Sequence, residues 1–212
     1  KLNEVVVIGY GTSKRKDMEK NTIISGCKVL IIGGSAGSLE VLLKILPHLE
    51  IPSFAIVIVL HRKHTDDTTL EELIAAKTQI PVKEVEDKVA LEAGNIYIAP
   101  SDYHLLFEKN QLLSLDISEK INYSRPSIDV AFESASDVYG KSLIGILLSG
   151  ANADGTDGLI AIKKNRGTTI VQKPETADMP FMPNSAIEHS SPDYILDIAA
   201  ILKMITAINT TP

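Results

Sequence analysis

Three residues, each following a separate apolar run, have the chemistry to attack a carbonyl together. Ser35 lies in Gly33-Gly34-Ser35-Ala36-Gly37, a G-x-S-x-G pattern placed between the run "KVLIIG" and leucines at helical spacing. His61 directly follows "SFAIVIVL", and Asp154 follows "SLIGILLS" within "GANADGTDG". A serine hydroxyl is a weak nucleophile until a base takes its proton, and a histidine can be that base. A carboxylate then orients the imidazole and stabilises its cation. Taken alone, the serine motif also fits a connective or phosphate-binding glycine turn, and a lone aspartate ahead of a helix fits a simple cap. Three strand ends that each supply one member favour the set Ser35, His61 and Asp154. Asp157 is the weaker acid candidate because it falls where the following helix would be capped. Of the other histidines, His48, His64 and His189 read as solvated, while His104, after "IAPSDY", reads as a rim residue of the same site.

The elements that must position these residues alternate between two periodicities. Residues 28–33, 53–60 and 142–149 are apolar on both faces, as in a parallel sheet covered by helices. Leu39, Leu42, Leu43 and Leu46 share one helical face, as do Leu70, Leu73 and Ile74. "VKEVE", "NIYIAP" and "TTIVQ" read as further strands, and "YHLLFEKNQLLSLDI" as an antiparallel hairpin turning near Lys109 and Asn110. "SIDVAFESASDVYG" and "DGLIAIKKNRG" read as helices closed by Gly140 and Gly167, and "SPDYILDIAAILKMITAI" as one amphipathic helix. The expected fold is α/β: a doubly wound, mostly parallel sheet with helices on both faces and an antiparallel hairpin. In such a sheet Ser35, His61 and Asp154 emerge at the carboxyl edge, where ligands bind. At the start of a helix, unpaired N–H groups would also face a developing oxyanion.

Whole-chain properties narrow the functional classes. The 212 residues are 44% hydrophobic and 23% charged, enough for one well-buried domain. A net charge of -6 provides no general basic field for nucleic acid or an anionic membrane. The single cysteine, Cys27, excludes an internal disulfide and suits a buried structural thiol in a reducing compartment. No apolar segment is long enough for a membrane span, so the protein reads as cytoplasmic and not inserted in a membrane. Residues 1–24 stand apart as an N-terminal arm or linker of uncertain origin, ahead of a domain over 25–212. In that arm "VVVIGYGT" could form a short strand, and "SKRKDMEKN" is charged without periodicity. Gly9 and Gly11 begin a dinucleotide-type pattern, but Lys14 stands at the third glycine. "LNEVVVIGYGTSKRKD" is similar to a plug segment of outer-membrane TonB-dependent receptors, and reads as a coincidence or a gene-fusion scar.

From about Lys28 onward the chain resembles the catalytic domain of the CheB-type chemotaxis protein-glutamate methylesterases. The resemblance rests on "IIGGSAGS", "VLHRKH", "IYIAPSDYHL", "SRPSIDVAFES", "LLSGANADGTDG" and "VQKPETADMPFMPNSAI", in the family's order. It implies Ser35 as nucleophile, His61 as base and Asp154 as orienting acid, with no metal or organic cofactor. The chain order Ser, His, Asp also differs from the Ser, Asp, His order of ordinary α/β-hydrolases. The implied reaction is hydrolysis of glutamate γ-methyl esters, and in some members glutamine deamidation, on the cytoplasmic helices of a methylated chemoreceptor. Arg125 and His104 match positions near the family's cleft, with a surface ion pair and a rim hydrogen bond as their plainer readings. Ala36, through its backbone N–H, and Ala151 fall at substrate or oxyanion positions. Ala36 replaces the family's usual threonine, and "GANADG", with Ala151 for methionine, replaces "GMGNDG". Family members usually carry an N-terminal receiver domain, which residues 1–24 are too few to form. The resemblance therefore implies a separate receiver chain or a larger protein of which this is one domain. The alternative to an enzyme is a non-catalytic binding module of the same fold in a signalling assembly, and a complete triad weighs against it.

Overall fold

The described residues form ten strands and six helices: β1 (Val29–Gly34), α1 (Ser38–Ile45), β2 (Ala55–Leu60), α2 (Thr69–Ala75), β3 (Val82–Glu84), β4 (Val89–Ala90), β5 (Ile96–Ile98), β6 (His104–Phe107), β7 (Leu112–Asp116), α3 (Ile128–Tyr139), β8 (Leu143–Leu147), α4 (Thr156–Lys164), β9 (Thr168–Gln172), α5 (Phe181–Ser190), β10 (Tyr194–Leu196) and α6 (Ile198–Asn209). The computed structural model describes residues 26–62 and 69–209. The arm over 1–24, with its strand and glycine pattern, and His64 lie outside the described residues.

Seven strands form one sheet in the order β10-β9-β8-β1-β2-β5-β3, and every pair in it is parallel. The apolar runs are apolar on both sides because both sides are covered. Leu30, Ile32, Ile56, Ile58, Ile144 and Ile146 face α1, α2 and α6, and their sequence neighbours Ile31, Val57 and Leu147 face α3, α4 and α5. Each buried aliphatic side chain stabilises the fold by roughly 1.5–3 kcal/mol relative to exposure. The expected hairpin is present as β6 and β7, which with β4 make a small antiparallel sheet.

Two elements, β4 and α5, have no counterpart in the sequence reading, and the C-terminal stretch differs from it. The stretch from 191 onward is not a single helix: Tyr194–Leu196 pairs in parallel with Ile170–Gln172 before α6 begins. The cause is a tertiary contact, because Asp193 Oδ2 accepts hydrogen bonds from the Thr169 N–H and Oγ1, both at 2.9 Å, and draws the chain alongside β9. Cys27 is half-buried, and burial pushes its thiol up to about 12, as suits an inert structural thiol. Among the described residues no helix is long and apolar enough to cross a membrane.

The chain leaves β1 toward β2 on one side and later places β8 on the other, so the strand order switches direction between β1 and β8. The crevice at the carboxyl end of that switch point is the binding position of open α/β sheets.

Candidate active site

Ser35 stands where β1 ends, on the strand shared by the histidine and aspartate strands. Its N–H donates to the Ser149 carbonyl beyond β8 at 2.9 Å, and the His61 N–H donates to the Gly34 carbonyl at 3.1 Å. The three strand ends are thereby laced together. The Ser35 carbonyl accepts the Ser38 N–H at 3.1 Å and also the Ser38 hydroxyl, which closes the turn into α1. That turn needs glycine at 37: φ is 82°, and a Cβ there would lie 2.5 Å from Asp178 Cβ and 2.8 Å from Ser149 Oγ. Ser149 holds the Ser35 loop from behind, donating to the Ala36 carbonyl at 2.7 Å and accepting the Met179 N–H at 2.8 Å.

The imidazole of His61 is 12% exposed, and its Nε2 lies 2.7 Å from Asp154 Oδ2. Because a carboxylate can only accept there, Nε2 carries the proton and Nδ1 is the basic nitrogen. This is the reverse of the ring orientation in the proteolytic serine triad. Nδ1 has the Ser124 hydroxyl 3.4 Å away. Ser35 Oγ makes no hydrogen bond among the described residues. Nucleophile-to-base contacts are often long before substrate binds.

Asp154 is fully buried, yet four donors meet it. Besides His61, Ile128 N–H donates to Oδ2 at 2.8 Å, Asp129 N–H to Oδ1 at 3.0 Å, and Ser127 Oγ to Oδ1 at 2.9 Å. Ser127 is the N-cap of α3, so the carboxylate sits on a helix N-terminus whose orphan N–H groups it satisfies. Burial opposes its charge, but the bonds from His61, Ile128 and Asp129 outweigh burial and bring the carboxyl down to about 2. Asp154 therefore stays ionised and holds Nε2–H in place.

The other anticipated residues fall in two places. Ala36 and Ala151 are both exposed in the loops that flank Ser35 and Asp154. His104 is 1% exposed: its Nδ1 accepts the Ser127 N–H at 3.1 Å, and its Nε2 donates to the Glu119 carbonyl at 3.0 Å. It thus stands behind the site, fixing the residue that fixes Asp154. Arg125 Nη1 donates to the Ile117 and Ser118 carbonyls at 2.6 and 2.7 Å, which ties the residues just after β7 to those just before α3. Its Nε is buried without a partner among the described residues. Ser124, Ser127 and Asp129 all belong to "SRPSIDV", where sequence reasoning picked out only the arginine. A serine before an apolar helix start, with an acid in the first turn, was the available signal of a helix N-terminus. Asp157 is exposed in the first turn of α4, as expected of a residue at a helix start. Among the described residues no group of three or more His, Cys, Asp or Glu side chains is arranged to hold a metal ion.

Comparison with known proteins follows the same lines. The family model described as CheB methylesterase matches residues 30–205. A Leptospira interrogans protein, provisionally named a protein-glutamate methylesterase/protein-glutamine glutaminase, is 44% identical over 178 residues, covering 84% of this chain and 92% of that protein. A Thermotoga maritima protein-glutamate methylesterase/protein-glutamine glutaminase is 35% identical over 178 residues, covering 82% of this chain but 51% of that protein. The crystal structure of the Thermotoga maritima CheB methylesterase catalytic domain matches with a TM-score of 0.81 at 33% identity, covering 85% of this chain and 97% of that one.

Proposed function

Since the chain belongs to the CheB methylesterase family, we propose that it hydrolyses glutamate γ-methyl esters on a methylated chemoreceptor, and deamidates receptor glutamines, through Ser35, His61 and Asp154. The observation that carries this reading is the 2.7 Å bond from His61 to a buried aspartate, beside a serine at the sheet's switch point. Ser35 Oγ attacks the ester carbonyl while His61 Nδ1 takes its proton. The imidazolium so formed is stabilised by Asp154 through Nε2–H. The oxyanion develops beside the Ala36 N–H and the first turn of α1, where the helix partial charge favours it. His61 then returns its proton to the leaving methoxide, and methanol departs. A water attacks the acyl-enzyme by the same route and releases the glutamate carboxylate. With glutamine the leaving group is ammonia.

Ala36 and Ala151 present only methyl groups where the family usually has threonine and methionine, so substrate contact at these points is left to backbone. A receiver domain, on this chain or another, is the expected regulatory partner. The test is methanol release from methylated receptor by the wild type and by Ser35→Ala. Release that depends on Ser35 supports the reading, and equal rates sink it in favour of a binding module.

A further inference from the structure

The acid of the triad shares its pocket with a second carboxyl that none of the roles above uses. Asp129, in the first turn of α3, is 6% exposed. Its Oδ1 accepts the N–H groups of Gly155 and Gly158, both at 2.8 Å, at the start of α4. Asn122 Nδ2 donates to its Oδ2 at 3.2 Å. Asp154, one residue ahead of Gly155, meanwhile accepts the N–H groups of Ile128 and Asp129 at the start of α3. Each carboxylate closes the N-terminus of the helix that carries or follows the other. The arrangement puts two anionic groups in one buried site, where like charges disfavour double ionisation.

Their partners decide which one keeps its charge. Asp154 has four donors, one of them an imidazole, and is held down at about 2. Asp129 has two backbone N–H groups and one amide. Burial pushes it up, the Gly158 N–H opposes, and the charge of Asp154, a hydrogen bond to Asp154 and the charge of Asp157 add to the rise, to about 7. The groups facing it are Asp154 from the loop after β8, Asp157 from α4 and Asn122 from the turn before α3. Glu133, one turn along α3, is pushed up by burial and then by Asp157, Asp137 and Asp154.

We propose that Asp129 is a positioning residue of the reaction: as the neutral acid it donates a hydrogen bond to Asp154, keeps that carboxylate aimed at His61, and loses this hold when it ionises. The inference rests on the triad reading above. Above the titration of Asp129 the donated bond is replaced by repulsion between two carboxylates. A lost bond to a charged group corresponds to about a tenfold decrease in kcat/KM. Asp129→Asn removes this titration, keeps an oxygen for Gly155 and Gly158 and sets a permanent N–H donor toward Asp154, with the Asn122 amide turning its own oxygen to the new NH2 group.

The experiment measures kcat/KM for methyl-ester hydrolysis from acid to alkaline pH in the wild type and Asp129→Asn, alongside carbon NMR of the aspartate carboxyls in Ser35→Ala. The expected result is an alkaline limb in the wild type that is absent from Asp129→Asn, with kcat rather than KM carrying the change. In the spectra one aspartate carboxyl titrates near neutrality. An alkaline limb that persists in Asp129→Asn overturns the proposal. So does a set of aspartate carboxyls that all titrate below about pH 5, as ordinary carboxylates do. If Asp129→Asn does not fold, the spectra decide alone. If the wild type releases no methanol, the triad reading fails, and the spectra still report whether the two carboxyls share a proton.

Discussion

Replacing Asp154 with asparagine should damage activity and stability together, for reasons that can be counted at its two oxygens. Each oxygen faces a backbone N–H: Oδ1 that of Asp129 and Oδ2 that of Ile128. Whichever way the asparagine amide turns, its NH2 group therefore meets a backbone donor in a fully buried site. An orphaned buried donor costs about 1–3 kcal/mol. For a chain of this size that lowers Tm by roughly 4–8 °C if the cost is about 2 kcal/mol. The catalytic loss is larger, because one amide orientation forces the wrong imidazole tautomer and the other leaves the imidazolium without a negative partner. By analogy with the proteolytic triad the decrease in kcat is on the order of 10⁴. Methanol release from methylated receptor and a thermal melt on the same preparation check both parts. A variant that keeps activity within tenfold of wild type would refute Asp154 as the orienting acid. An unchanged Tm would refute the helix-N-terminus clamp.

Ser35→Ala should separate the two effects, abolishing ester hydrolysis by a factor on the order of 10⁶ while the melt stays close to wild type, since Ser35 Oγ makes no hydrogen bond among the described residues. Stability should also fall in acid for a specific reason. The Asp154 carboxyl sits at about 2 when folded, below its unfolded value near 4. Its contribution of about 2 kcal/mol is present above pH 4 and lost as pH falls toward 2, and chemical denaturation across that window should show a slope missing in Asp154→Asn. Gly158→Ala would place a Cβ 2.5 Å from Phe132 Cβ and 3.2 Å from Asp129 Cα. It should destabilise the fold by about 1–3 kcal/mol, read as a lower denaturation midpoint. His104→Phe orphans the Ser127 N–H and the Glu119 carbonyl; a lower Tm and a lower kcat are expected, and wild-type values for both would place His104 outside the support of Asp154.

Much of the site was legible because its first requirement is local. The runs ending at Ser35, His61 and Asp154 announce buried parallel strands by being apolar on both faces. Parallel strands joined by helices deliver their ends to one edge of a sheet. The glycine at 37, held at φ 82°, is likewise a backbone requirement that sequence can display. Tyr194–Leu196 was not legible, since a three-residue strand next to a helical pattern exists only because Asp193 reaches Thr169. His104 and Arg125 carry the residue types of a substrate cleft, but their side chains are engaged by backbone groups, His104 at Ser127 and Glu119 and Arg125 at Ile117 and Ser118.

What the sequence by itself determined was the α/β architecture and the three side chains at the carboxyl edge, because hydrophobic periodicity and turn chemistry act over neighbouring residues. Only the tertiary structure decided how those side chains are arranged. It turned Nε2 of His61 toward Asp154, left Nδ1 as the basic nitrogen, and seated Asp154 on the N-terminus of α3. Such choices depend on which donors and acceptors meet when helices pack across a sheet, and no local propensity encodes them.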